Sequence, residues 1–476
     1  MGNQERRVVG EMARRIAELI DQEIDKELGP EATFEQRQDA AAALTGNALW
    51  FRTDKNLRDV LTIDEEICVE GRRYHRLEQA SSATYYSPWG SHPIEEALYR
   101  EAGVHNGPTI KPVELRVGII EHMTPDMARI VGELSASDSS RGIERTLCIT
   151  GLVPPSRAFV AKRTTEMGVE IADTAGALEL ASRKTEAMPA EVASVSCGLD
   201  RMAVRMSEVV DPEQPIAVPR TRTEPYERTP PPMMEHHYRK AWVGTVSAYD
   251  VKGDELHTWR YAAEADANPA QLADRVAADV AWLLRAHPGV PVHCIQDAAP
   301  ELRAMPEALE RVLPANTNRV DLVDLEHLME YLDDVVDTCE PKGDPHDMKG
   351  WHRHELLHHD DAIDRIWRSL LDKSKRLPGR DTPPRNAVAA ALSYIRHRKD
   401  KMRYASFYAA KLPIGSGATE STCFQMQQRV KLPGQSWQPR GLRGILAIRA
   451  LVLSDRWDSA WPAYAAKHRS VISKAA

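Results

Sequence analysis

The sequence predicts a multidomain α/β protein, and three features point to it. At 476 residues the chain is too long for one ordinary core, so roughly two to four domains are expected. From about residue 190 the pattern changes to three strand-like runs, EVASVSCGLDRMAVRM, WVGTVSAYD and GDELHTWRYAA, after which helix and strand alternate. Three carboxylates, Asp200, Asp297 and Glu420, then fall within a strand run, at the end of another, and just inside a helix. Together these predict a layered, ribonuclease-H-like catalytic core interrupted by an all-helical insertion and preceded by a helical and small β-rich region.

Residues 1–115 read as two helices followed by a turn-broken β module, with Val8, Met12, Ile16, Leu19 and Ile20 marking an apolar stripe on the first helix. Residues 116–188 are helical. Within them RGIERTLCITGLVPPSRAFVAKRTTEMG reads as helix, Pro-marked turn, helix, with Ser156 as N-cap and Arg157, Lys162 and Arg163 on the second helix. That is either a helix-turn-helix entering a major groove or two packed helices with solvated cations.

The core's first part spans 189–328. Its strands two and three form a hairpin turning at Asp250–Asp254, and the Pro- and Arg-rich stretch 219–237 reads as an exposed loop. The helix PAQLADRVAADVAWLLRAH leads to the strand VPVHCIQ, then a helix near PELRAMPEALERVL and the short strand VDLVD. Residues 329–411 form the helical insertion, 412–435 return to the core with the helix of Glu420, and 436–476 make a helical tail.

Hydrophobic content of 42% with 28% charged is that of a globular chain, and no apolar run is long enough to span a bilayer. The N-terminus is acidic and helical instead of signal-like, and the six scattered cysteines lack a CxxC pair. A cytoplasmic, nucleoid-associated protein without disulfides or cysteine-bound zinc is expected. The net charge of -8 conceals an asymmetry: the middle is acidic and the stretch after about residue 395 is basic, enough to follow a DNA backbone locally.

Two-metal phosphoryl transfer needs hard oxygen ligands converging from different elements. Two carboxylates 4 Å apart repel by roughly 4 kcal/mol at an effective dielectric near 20, and divalent cations remove that cost. Asp297 alone reads as a strand-end turn residue and Glu420 as a first-turn helix acid. Asp200 is different, because it interrupts a run that otherwise wants burial. The turn holding Gly415 and Ser416 offers N–H groups for phosphate, and Gln427 and Lys431 share a helical face with Glu420. Arg429 lies beside them, and Trp437 either stacks on a base or packs.

These blocks, above all LPIGSGATESTCFQMQQRVKLPGQSW followed by ILAIRALVLSDRWDSAW, resemble the DDE transposases of bacterial insertion sequences, the ISKra type in particular, over roughly residues 110–465. The resemblance implies Asp200, Asp297 and Glu420 as ligands of two Mg²⁺ (or Mn²⁺) ions. It implies cleavage at terminal inverted repeats, joining of 3′-OH ends to target DNA, and a homodimer or larger assembly on double-stranded DNA. His327, in DLEH, matches a recurrent position after the fifth strand and reads as an auxiliary to the metal site or as a structural histidine. Arg201 stands where many relatives carry Gly, and Cys68 is alone where some carry cysteine pairs.

Two alternatives remain. A transposase-derived binder without activity would not need the acids. HELLH, His354–His358, has the HExxH pattern of a zinc metalloprotease, but the chain holds 17 histidines and no third ligand at the usual spacing.

Overall fold

The computed structural model describes residues 3–209, 234–297, 299–339, 346–379 and 381–474. The chain divides into two compact units, Met1–Met167 with Trp461–Ala476, and Gly168–Ala460.

In the first unit, helices α1 (Asn3–Leu28) and α2 (Phe34–Asp59) are joined through a capping box. Gln36 N–H donates to Thr33 Oγ1 (3.2 Å), and Thr33 N–H donates back to Gln36 Oε1 (2.9 Å). Of the apolar stripe on α1, Met12, Ile16 and Leu19 are exposed and Ile20 is half-buried, while full burial is found at Ile24, near the turn. Strands β1 (Glu66–Val69), β2 (Arg72–Ser87), β3 (Gly90–Glu101) and β4 (Thr109–Ile110) form an antiparallel sheet, the β-rich module expected. Tyr85 and Ile94 pack there on Leu57 and Val113. Helices α3 (Pro112–Val117), α4 (Pro125–Ser135), α5 (Ser140–Ile149) and α6 (Arg157–Asp173) follow. Ser156 caps α6, its Oγ accepting from Phe159 N–H (3.3 Å).

The second unit continues with α7 (Ala175–Ser182) and then β5 (Ser194–Val209), β6 (Met234–Tyr249) and β7 (Glu255–Ala263). Residues 234–237, expected in a loop, lengthen β6 and pair with Ser207–Val209 and Met206 of β5; residues 219–233 lie outside the described residues. The β6–β7 hairpin turns at Asp250–Asp254 as expected, with Asp250 N–H donating to Asp254 O (3.0 Å). Next come α8 (Pro269–Ala286), β8 (Val292–Gln296), α9 (Ala304–Val312) and β9 (Arg319–Val323). The five strands lie in the order β7-β6-β5-β8-β9, antiparallel from β5 outward to β7 and parallel from β5 to β9.

Both faces of this sheet are covered, which explains the unbroken apolar runs in β5 and β6. Val195, Cys197 and Leu199 pack with Val276, Val280, Met305 and Leu309 of α8 and α9. On the other face Met202, Val204 and Met206 pack with Met426 and Val430 of α15 (Gly417–Val430) and Leu446 of α16 (Pro439–Leu453). Between β9 and α15 lie α10 (Leu325–Cys339), α11 (Met348–His358), α12 (Ala362–Arg376), α13 (Pro383–Arg396) and α14 (Ala405–Ala409). This helical insertion has its own core, joined to the sheet through Val323.

The tail is not wholly helical. After α17 (Trp457–Ala466), strand β10 (Ile472–Lys474) pairs antiparallel with β1. A three-residue edge strand has too little pattern to register in sequence, because its pairing partner is distant along the chain.

Gly198 fixes the approach of β5 to β8: a Cβ there would lie 2.2 Å from Ile295 O and 3.3 Å from Thr419 Oγ1. Main chain cannot yield as a flexible side chain does. Gly198→Ala is expected to lower unfolding free energy by about 1–3 kcal/mol in urea titration; an unchanged midpoint would show that β5 can shift freely.

Candidate metal centre

Strand register brings three of the acids to one edge. Cys197 of β5 pairs with Cys294 of parallel β8, and Asp200 and Asp297 each stand three residues further on. Gln296 pairs with Val323 of β9, so Asp324 follows Val323 as Asp297 follows Gln296. Asp297 and Asp324 thus follow the carboxyl ends of β8 and β9, where ligands of open α/β sheets gather, while β5 runs on past Asp200 to Val209.

The two-residue repeat of β5 points Asp200 to the same face as Met202, Val204 and Met206, the face covered by α15. There Cys423 Sγ donates to Asp200 Oδ2 (3.4 Å), and Arg201 N–H donates to Oδ1 (2.6 Å). Burial and the Asp200 charge drive the Cys423 thiol pKa upward, so it remains a protonated donor. Glu420 lies one helical turn earlier on α15. Its pKa is raised, chiefly by desolvation, with the charges of Asp324 and Asp200 adding to the rise while Ser416 and His327 oppose it. Asp297 is held from the insertion, where Tyr394 donates to Oδ1 (3.3 Å), and His327 Nε2 stands 3.8 Å from Oδ2.

Asp324, His327 and Glu420 offer ligand atoms within 4.8 Å of one another, a group that could hold a metal ion. Asp324 is nevertheless better occupied by its own protein. It is fully buried; Oδ1 accepts from the N–H groups of Glu326 (2.6 Å) and His327 (3.3 Å), and Oδ2 accepts from Ser416 N–H (2.5 Å) and hydroxyl. A carboxylate so engaged ties the start of α10 to the start of α15, the two helices that present His327 and Glu420. Sequence reading missed this role, although an Asp followed by a helix was the available N-cap signal.

Comparison of the chain with protein-family models, with curated proteins and with solved structures returned no match.

The expected DNA contacts divide into several groups. On α15 Glu420 and Phe424 are exposed and Gln427 half-buried, and Lys431, the residue that caps the helix, is exposed. Gly415 lies half-buried in the preceding turn, but Ser416 spends its N–H and hydroxyl on Asp324 instead of a phosphate. Arg429 is 6% exposed and lies over the Trp437 ring at 5.1 Å. Trp437 bonds through its main chain to Arg205 and Ser207 of β5 and through Nε1 to Val430 O (2.9 Å). Both therefore serve the core, and the expectation that they face DNA is corrected; neither charge nor aromaticity alone distinguishes a packed cation–π pair from a stacking platform.

On α6, Arg163 is largely enclosed between Glu121 (2.8 Å) and Glu166 (2.7 Å) and is committed to them. Arg157 pairs with Glu144, and Lys162 is exposed, 4.0 Å from Glu166. In the basic stretch, Lys399 and Arg403 pair with Asp364 and Lys401 with Asp321, whereas Arg396, Lys411 and Arg440 are exposed.

The HELLH segment falls on α11 with the His354 and His358 rings 4.4 Å apart. Glu355 is nearly buried and lies 2.6 Å from Arg365, and among the described residues no third ligand joins the two histidines. Zinc protease chemistry is not favoured by that arrangement.

The raised pKa of Glu420 carries a sign. The folded state holds this proton to higher pH than the unfolded chain, so ionised Glu420 costs stability above its folded pKa and the cost vanishes as pH falls through it. Without divalent metal at neutral pH, Glu420→Gln should melt no lower than the wild type. Added Mg²⁺ should raise the wild-type melting temperature and leave the variant's nearly unchanged; equal shifts would remove Glu420 from the metal site.

Proposed function

We propose that the chain is a DDE-type transposase of the ISKra type, with a ribonuclease-H-like core that acts on double-stranded DNA at the ends of an insertion sequence. The observation that carries the reading is that strand register sets Asp200 of β5 level with Asp297 just past β8, while Glu420, on the helix that covers the Asp200 face, has its pKa raised in part by the Asp200 charge. The antiparallel-then-parallel strand order β7-β6-β5-β8-β9 and the helical insertion between second and third acids also support it.

The donor set suits hard cations: three carboxylates from three elements, with one imidazole at 3.8 Å from Asp297. Mg²⁺ or Mn²⁺ bound there would activate the attacking water or 3′-hydroxyl and stabilise the leaving oxygen. The chain's own residues prepare the site. Arg201 N–H and Cys423 fix Asp200, Asp324 holds both helices in place, and Ser416 Oγ, whose proton goes to Asp324, stands 3.0 Å from Glu420 Oε1. Arg201 itself pairs with Glu301 and lies over Trp242 at 5.5 Å, so its bulk is accommodated where a Gly was expected. Gln427 on α15 and Lys431 at its cap follow Glu420 along the chain, in position to track a backbone.

Asp200→Asn, Asp297→Asn and Glu420→Gln should each abolish Mg²⁺-dependent cleavage of a duplex containing the element end while leaving end binding intact. Mapping of broken strands on flanking DNA, with and without Mg²⁺, checks this. Cleavage by all three variants would remove the triad, and binding without cleavage by the wild type would favour an inactive, DNA-binding derivative.

A further inference from the structure

The helical insertion reaches the second acid through Tyr394. This residue lies on α13, is 7% exposed, and donates its hydroxyl to Asp297 Oδ1 at 3.3 Å across a sequence gap of 97 residues. Its ring is fixed on two sides. Tyr331 of α10 stacks on it at 4.2 Å with 19° between planes, and the Arg398 guanidinium lies 5.0 Å from its centroid. Tyr331 is itself one helical turn beyond His327, whose Nε2 faces the other oxygen, Oδ2.

We infer that Tyr394 is a positioning residue for Asp297: by anchoring Oδ1 it turns Oδ2 toward His327 and the cation site, which makes the helical insertion part of the catalytic apparatus. The inference rests on the metal-binding role proposed above for Asp297. A carboxylate just past a strand end rotates freely about χ2 unless one oxygen is held. Outer hydrogen-bond partners of metal ligands typically contribute about 10–100-fold in metal affinity. The ring contacts with Tyr331 and Arg398 survive loss of the hydroxyl, which separates orientation from packing.

The test is Tyr394→Phe in the full chain, read by Mn²⁺ binding in electron paramagnetic resonance titration and by the Mg²⁺ dependence of end cleavage. Mn²⁺ affinity should fall about tenfold and the half-maximal Mg²⁺ concentration rise about tenfold. The cleavage rate at saturating metal should stay within about twofold, and DNA-end binding should not change. In an Asp297→Asn background the same change should add no further loss of Mn²⁺ affinity, because the hydroxyl acts through that carboxylate. Tyr331→Leu, which loosens the stack, should give a smaller loss in the same direction and serves if Tyr394→Phe does not fold. Unchanged Mn²⁺ affinity with only a lower melting temperature would reduce Tyr394 to a structural role and overturn the inference. Absence of Mg²⁺-dependent cleavage in the wild type would overturn the transposase reading instead, with the Mn²⁺ titration still deciding the role of Tyr394.

Discussion

Housing several carboxylates around one region of the sheet is the constraint on which the second unit is built. Asp200, Asp297 and Asp324 stand level across β5, β8 and β9, and Glu420 lies near enough that the charges of Asp324 and Asp200 add to the rise in its pKa that desolvation begins. The fold answers with separate donors for three of the acids. Asp324 takes donors from two helices, Asp200 a main-chain N–H and a thiol, and Asp297 a phenol, while Glu420 has only the oxygen of Ser416, whose proton is directed at Asp324, at 3.0 Å. Asp324 has each oxygen bound by close donors, and Asp200 accepts one donor on each of its own, the thiol at 3.4 Å. Asp297 Oδ2 faces His327 and the exposed Glu420 opens outward, which is the arrangement a cation can use.

Each part of the unit contributes to that region. Parallel pairing of β5 with β8 and of β8 with β9 sets three acids level, and the face alternation of β5 selects which side Asp200 enters. Gly198 lets the strands and α15 close together, with Thr245 and Thr419 hydroxyls in contact at 2.6 Å just behind the site. Asp324 then sets the helices of His327 and Glu420. The insertion is thus less a free acidic surface than a buttress: Tyr404 donates to Val323 O (3.0 Å) at the end of β9, and Tyr394 reaches Asp297.

Much of this was legible in sequence where local pattern carries it. The strand runs, the hairpin at Asp250–Asp254, the Ser156 cap and the interruption of an apolar run by Asp200 all arise from periodicity or turn chemistry. What was missed depends on contacts distant in sequence. Strand β10 exists through pairing with β1, about 400 residues earlier. Arg429 and Trp437 pack on each other, Arg163 is claimed by Glu121 and Glu166, and Met12, Ile16 and Leu19 of α1 lie open although their spacing suits burial. Tyr394 gave no signal, since an aromatic residue in an amphipathic helix reads as core until its hydroxyl is located. Asp324 was readable as a helix cap, but its bond to Ser416, 92 residues later, was not.

Anomalous diffraction from crystals soaked in Mn²⁺ addresses the central claim most directly, because it locates cations independently of any DNA substrate. Manganese between Asp200, Asp297 and Glu420, with Asp324 outside direct coordination, is the result this account predicts. Manganese ligated by Asp324 in place of Asp200 and Asp297, or found only beside His354 and His358, would contradict it.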